Sequence, residues 1–218
     1  MDIMFIPAKY KKEIKIPLKI LNQLSKYKKL AVFTTTQFTH QIQNIIKQIQ
    51  KTGIKVISSQ SDRVSEKFQI LGCNVYNKNL KLKQQPDSLL YIGDGIFHPR
   101  ALLFSQQDTK NPKSILTFNP INDKLKILKQ KQIEKIMKKQ KANFVRFLSS
   151  ENIGVIVTTK PGQEHFHYAE KLEKKYKDKN FYTFITDNID LTELENFPFI
   201  QAWVNTACPR LALEDSLN

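Results

Sequence analysis

Short apolar runs alternate with amphipathic helical patterns along this chain, and that alternation narrows the possible folds more than any other feature. Leu30, Ala31, Val32 and Phe33 form the apolar heart of a buried strand predicted over Lys29–Thr36. Thr39–Gln50 follows as a helix, with Ile42, Ile45, Ile46 and Ile49 on one face. Gly53 stands in the helix-stop position, and Ile54–Ser58 predicts the next strand. Ser88–Ile92 predicts another strand, Pro99–Ser105 a short helix and Ser114–Phe118 a further strand. Strand–helix alternation of this kind produces a parallel sheet with crossover helices, an α/β fold.

The pattern then restarts. Asp123–Phe147 is Lys-rich and helical in pattern, and after it come a strand at Ile153–Thr158, a helix at Gly162–Tyr176, a strand at Phe181–Thr186 and a short strand at Ala202–Asn205. The expected organisation is therefore two similar lobes with parallel sheets. Residues 1–122 form one α/β lobe, preceded by a lone strand at Ile3–Pro7. Residues 123–150 are expected to form a helical linker, and 151–218 a second lobe, incomplete at its end. Each half runs strand, Thr-Thr turn, helix, strand and then a cysteine, with Thr34–Gln37 and Thr158–Lys160 in matching places, which suggests duplication.

With 218 residues and 40% hydrophobic content, the chain can bury a core for one large domain or two small ones. The net charge of +15 permits an anionic partner without naming one. Its lysines are spread through Lys124–Lys141 and Lys171–Lys179, the usual sign of solvated helix faces, so nucleic acid is not the expected partner. Two cysteines make no disulfide framework. No signal peptide opens the sequence and no apolar stretch approaches a membrane span, so a cytoplasmic protein is expected.

Chemistry-bearing residues gather in turns. Cys73 lies in Ile70–Asn74 and Cys208 in Val204–Arg210; in both, an apolar stretch delivers a thiol to a tight turn. Open α/β sheets place their ligands at the C-terminal edges of strands. Without a CxxC pair, spacing leaves two readings open: metal-binding thiolates, or two unrelated buried thiols. Tyr91–Pro99 contains Gly93, Asp94, Gly95 and His98, where glycines admit a ligand close to backbone and a helix start offers N–H groups to an anion. Asp94 and His98 also suit simple helix capping. Thr158, Thr159, Lys160 and Gln163 repeat that arrangement, suited to an amino-acid-like ligand or again to capping. His40, His165 and His167 show no metal-ligand spacing.

In family order, the strings QILGC (Gln69–Cys73), YIGDGIFHP (Tyr91–Pro99), TTKPGQ (Thr158–Gln163) and NFPFIQAWVNTACPR (Asn196–Arg210), with TTTQFTHQ (Thr34–Gln41), resemble the 2-(3-amino-3-carboxypropyl)histidine synthases of diphthamide biosynthesis. The resemblance implies three α/β lobes, each giving one Cys to a [4Fe–4S] cluster whose open iron engages S-adenosylmethionine. It implies transfer of a 3-amino-3-carboxypropyl group, as a radical or its iron-bound equivalent, to a histidine of translation elongation factor two. Cys73 and Cys208 would then be cluster ligands. Gly93, Asp94, Gly95, His98, Thr158, Thr159, Lys160 and Gln163 would lie beside S-adenosylmethionine, and Arg210 would orient the cluster loop or a carboxylate.

Three departures accompany the resemblance. The first lobe and its cysteine are not in this sequence, the last lobe is short, and position 68 holds Phe where the family is expected to favour Gly. Two cysteines do not complete a three-thiolate site. The resemblance therefore implies an enzyme subunit or fragment completed by a separate first-lobe chain or a homologous subunit. The alternative is a non-catalytic paralogue that docks on the elongation factor or RNA.

Overall fold

The computed structural model describes residue 6 and residues 8–61, 63–106, 109–128, 130–160 and 163–214. The lone strand expected at Ile3–Pro7 lies, apart from Ile6, outside the described residues, as do Pro161 and Gly162. The chain divides into two compact units, Met1–Glu134 and Lys135–Asn218. Both are mixed α/β structures with parallel strands.

In the first unit, α1 (Leu18–Leu24) leads to β1 (Lys29–Thr34), α2 (Ile42–Gln50) and β2 (Lys55–Ile57), then β3 (Ser88–Ile92), α3 (Phe97–Phe104), β4 (Ile115–Asn119) and β5 (Lys124–Leu128). The sheet order is β2-β1-β3-β4-β5. β1 is an interior strand, buried from Leu30 to Thr34; Leu30, Val32, Leu90 and Ile92 pack against Ile42, Ile45, Ile46 and Ile49 of α2 in one core. The isoleucine stripe forms because positions three and four apart share a helix face, and burying it accounts for most of the helix's stability. Two α2-side glutamines also secure the preceding segment: Gln41 Oε1 accepts from Ile14 N at 2.8 Å, and Gln48 Oε1 from Ile16 N at 2.8 Å.

Two local expectations are corrected here. The stretch 123–150 is not helical throughout, because Lys124–Leu128 is β5, paired antiparallel with β4. Lys124-Leu125-Lys126-Ile127 alternates with period two, and Asp123 adopts φ 52° in the connecting turn, a conformation Asp tolerates. The sheet is accordingly mixed at this edge. Second, the helix after Gly95 begins at Phe97, so Pro99 sits inside its first turn, where a missing N–H goes unnoticed.

The second unit contains most of α4 (Gln130–Ser149), then β6 (Asn152–Thr158), α5 (Phe166–Lys175), β7 (Asn180–Thr186), β8 (Ala202–Asn205) and α6 (Pro209–Glu214). Its sheet is β7-β6-β8, parallel throughout. Ile153, Val155 and Val157 of β6 join Phe147, Ala169 and Ala202 in its core. Among the described residues no helix is long and apolar enough to cross a membrane.

Candidate functional site

In an order such as β2-β1-β3, successive connections leave β1 in opposite directions, and a crevice opens beyond the C-terminal ends of β1 and β3. The motif residues of the first unit stand there. Thr34 ends β1 and its hydroxyl donates to Ile92 O at 2.8 Å, joining the two strand ends. Phe68–Ile70 runs beside the end of β1: Thr34 N donates to Phe68 O at 2.7 Å and Ile70 N to Thr34 O at 2.9 Å. Since the other flank of Thr34 pairs with Ile92, this segment lies on the β2 side.

That short extended segment delivers Cys73 into a turn. Leu71 N donates to Asn74 Oδ1 at 2.8 Å, Asn74 N to Leu71 O at 3.1 Å, and Val75 N to Cys73 O at 2.8 Å. Asn74 is buried, whereas Cys73 is a free, half-exposed thiol. Phe68 has φ 67°, in the left-handed region that favours glycine, which is the residue expected there from the resemblance.

The Gly93–Gly95 loop lies beyond β3. Gly93 N donates to Phe118 O at 3.0 Å, and a Cβ at Gly93 would meet the Tyr91 hydroxyl at 2.5 Å. Gly95 has φ 65°, so a side chain there would be strained. Asp94 and Gly95 are exposed; His98 is half-buried and stacks on Tyr91 with ring centroids 6.0 Å apart. Burial holds the Tyr91 hydroxyl well above the usual tyrosine range; the Asp94 carboxylate adds to the rise, and a hydrogen bond with Thr35 opposes it. Phe97 lays its ring on Gly72 and joins the two loops.

The second unit carries its motif residues at the ends of β6 and β8. Thr158 is buried; Thr159 and Lys160 are exposed. The Thr159 hydroxyl donates to the Asp187 carboxylate, and Lys160 Nζ donates to Asn188 Oδ1 at 2.8 Å. Gln163 N donates to Lys160 O at 3.0 Å. Beyond β8, Asn205 shapes the thiol turn: its Nδ2 donates to Cys208 O at 2.7 Å and its Oδ1 accepts from Ala207 N at 2.9 Å. Cys208 is a free, half-exposed thiol and Arg210 is buried. The match between the halves is incomplete. Cys208 follows a full strand on the side of β6 away from β7, while Cys73 follows a single-bridge segment on the β2 side of β1.

Sequence reasoning missed Asn74, Asp187, Asn188 and Asn205, which hold these loops in shape. Asn74, Asp187 and Asn188 lie just past an apolar run and Asn205 ends one, as the last residue of β8, and that position is the one local signal that marks such residues. Among the described residues no group of three or more His, Cys, Asp or Glu is placed to hold a metal ion.

The family model described as a diphthamide synthesis protein matches residues 1–218. The chain belongs to the diphthamide synthesis family. Within that family it is 30% identical over 191 residues to the 2-(3-amino-3-carboxypropyl)histidine synthase of Pyrococcus horikoshii, covering 86% of this chain and 52% of the relative. It is 26% identical to the synthase of that name from Methanocaldococcus jannaschii, covering 97% and 56%, and 27% identical to subunit 1 of the Kluyveromyces lactis synthase, covering 85% and 43%. A crystal structure of Dph2 from Pyrococcus horikoshii with a 4Fe-4S cluster superposes with TM-score 0.74 at 28% identity, over 90% of this chain and 56% of Dph2. The diphthamide-family chain thus spans about half the length of the relatives it matches.

Proposed function

We propose that this chain carries two thiolate ligands and part of the S-adenosylmethionine site of a 2-(3-amino-3-carboxypropyl)histidine synthase. The reaction is transfer of the 3-amino-3-carboxypropyl group from S-adenosylmethionine to a histidine of translation elongation factor two, the first step of diphthamide biosynthesis. One observation carries the reading: in a chain whose relatives bear that synthase name, each unit presents one free, half-exposed thiol in a hydrogen-bonded turn beyond a parallel strand segment.

Thiolates are the natural ligands of cluster iron, so Cys73 and Cys208 are the proposed ligands this chain gives to a [4Fe–4S] cluster. They are the two cysteines of the sequence, and a third thiolate would come from outside these 218 residues, from a separate first-lobe chain or a homologous subunit. When bound, such a cluster supplies one electron and an open iron for S-adenosylmethionine. This chain's own residues bind and orient. Backbone at Gly93 and Gly95, with Asp94 and His98, lines the approach of the amino-acid end. Lys160, whose ammonium has three donors and places one on Asn188, offers another to a carboxylate, beside Thr158, Thr159 and Gln163. Arg210, buried at the start of α6, is assigned to orient the Cys208 loop or a carboxylate. The setting is cytoplasmic.

A second reading, a non-catalytic relative docking on the elongation factor or RNA, draws on the two-cysteine count. Anaerobic reconstitution separates the two. Iron and sulfide are measured with and without a first-lobe partner, followed by methylthioadenosine release from S-adenosylmethionine after reduction. The synthase reading expects the pair to load and turn over, and Cys73→Ala or Cys208→Ala to abolish both. Iron binding indifferent to both substitutions, with no release, would leave the docking reading standing.

A further inference from the structure

A cavity lies in the first unit on the loop that follows β2. Its volume is about 440 Å³, and Ser59, Ser61, Arg63, Lys67, Lys81 and Lys83 contribute to its walls. That size falls within the roughly 300–1,000 Å³ of small-molecule sites. Four of those six side chains are cations, and no acidic side chain lines the cavity among the described residues. Asp62 lies outside the described residues.

Two buried hydroxyls make the cavity more than a basic dent. Ser59 and Ser61 are 2% and 3% exposed, and neither Oγ has a hydrogen-bond partner among the described residues. A buried hydroxyl without a partner is destabilising, so such groups ordinarily meet a protein group, a water or a ligand. Arg63 and Lys81 both hold left-handed backbone, with φ 66° and 47°, a strain that clusters at binding loops.

We infer that this cavity is a binding site for the phosphate groups of a small molecule, separate from the S-adenosylmethionine site. Cationic side chains combined with hydroxyl donors suit phosphate oxygens. The same lining repels the sulfonium of S-adenosylmethionine, so the ligand class differs from that of the proposed reaction. The wall also runs into the thiol loop: Phe68 N donates to Ser59 O at 2.8 Å, and Phe68 is five residues before Cys73. Occupancy would steady that loop. Nothing in this inference depends on cluster loading or turnover.

Calorimetric titration of the full chain tests it with pyrophosphate, ADP and adenosine at low salt. Pyrophosphate and ADP are expected to bind and adenosine to fail; tighter binding of ADP than pyrophosphate assigns a nucleotide, and the reverse assigns an inorganic ligand. Arg63→Gln with Lys83→Gln should weaken binding at least 10-fold, while Lys171→Gln with Lys174→Gln, in the other unit, should leave it unchanged. Equal weakening by the two pairs would show nonspecific attraction to a basic chain and overturn the inference, as would failure of the wild-type chain to bind. Ser59→Ala with Ser61→Ala provides a variant that keeps its fold. Its melting temperature without ligand should equal or exceed that of the wild type, and its pyrophosphate-induced rise should shrink. An undiminished rise would remove the serines, and with them the built site.

Discussion

The ring of Phe97 rests on the α-carbon of Gly72, so closely that a Cβ there would overlap Phe97 Cε1. This contact joins the start of α3 to the turn that holds Cys73. Phe97 is 48% exposed, and the clash involves the far end of its side chain, so the ring can swing outward. Gly72→Ala should therefore lower stability by less than about 1 kcal/mol. It should raise the reaction rate of Cys73 with an aromatic disulfide reagent several-fold, measured in a Cys208→Ser background. An unchanged rate would mean that Phe97 does not screen the thiol.

Gly154 presents the same geometry with the opposite outcome. A Cβ there would overlap Trp203 Cε3 and Cζ3 and lie 3.0 Å from Ile200 Cγ2. Trp203 is held by Phe184 at a centroid distance of 4.8 Å and by Phe197 at 6.2 Å, and Gly154 is buried in central β6. With Trp203 wedged against two phenylalanines, Gly154→Ala should destabilise the chain by about 1–3 kcal/mol, the usual penalty of overpacking. Urea unfolding followed by Trp203 fluorescence measures it; a midpoint equal to that of the wild type would contradict this packing.

Phe68 sets two effects against each other. Left-handed backbone disfavours a Cβ-bearing residue by about 1–2 kcal/mol, whereas removing a buried Phe ring loses about 3–5 kcal/mol. Phe68 is 6% exposed with φ 67°, so Phe68→Gly should still destabilise, by about 2 kcal/mol. Phe68→Ala should be worse by about 1 kcal/mol, because it loses the ring and keeps the strain. The order Gly above Ala in denaturant midpoint is the signature; the reverse order would place Phe68 in ordinary backbone.

Tyr91 makes stability depend on alkaline pH. Its hydroxyl, buried first of all and also beside Asp94, releases its proton above the ordinary value of 10.0. Above about pH 10 the unfolded chain ionises this group while the folded chain does not, so the folded state binds more protons and stability falls as pH rises. Below that pH the group contributes no slope. Denaturant midpoints from pH 8 to 11 should fall more steeply for the wild type than for Tyr91→Phe. Parallel curves would remove Tyr91 from the account.

The strand at Ser88–Ile92 is legible because burial on both faces of an interior parallel strand demands a near-continuous apolar run, and the half-buried edge strand Ala202–Asn205 is legible from its short Ala-Trp-Val run. The isoleucine stripe of α2 is legible for the same kind of reason. By contrast α1, with its two buried residues Ile20 and Leu24, has too short a periodic signal to stand out. β5 was concealed by the lysines that alternate with Leu125 and Ile127 and continue into α4. The motif residues were legible as turns and as a family resemblance. The asparagines and Asp187 that hold those turns were not, since a polar residue in a loop looks alike whether or not it accepts a bond from a distant strand.

Apolar periodicity in the sequence alone determined that this chain builds sheets that are parallel apart from β5, with helices between most of their strands, because each element's burial is encoded within its own few residues. It also determined that Cys208 and the Gly93–Gly95 loop fall just past strands, while Cys73 follows only a single-bridge segment. The tertiary structure alone decided that Phe97 covers Gly72, that Trp203 fills the space over Gly154, that Phe68 takes a glycine's conformation, and that Ser59 and Ser61 share a cavity with Lys81 and Lys83. Those relationships join residues separated along the chain, and close packing fixes such distances only once the whole unit has condensed.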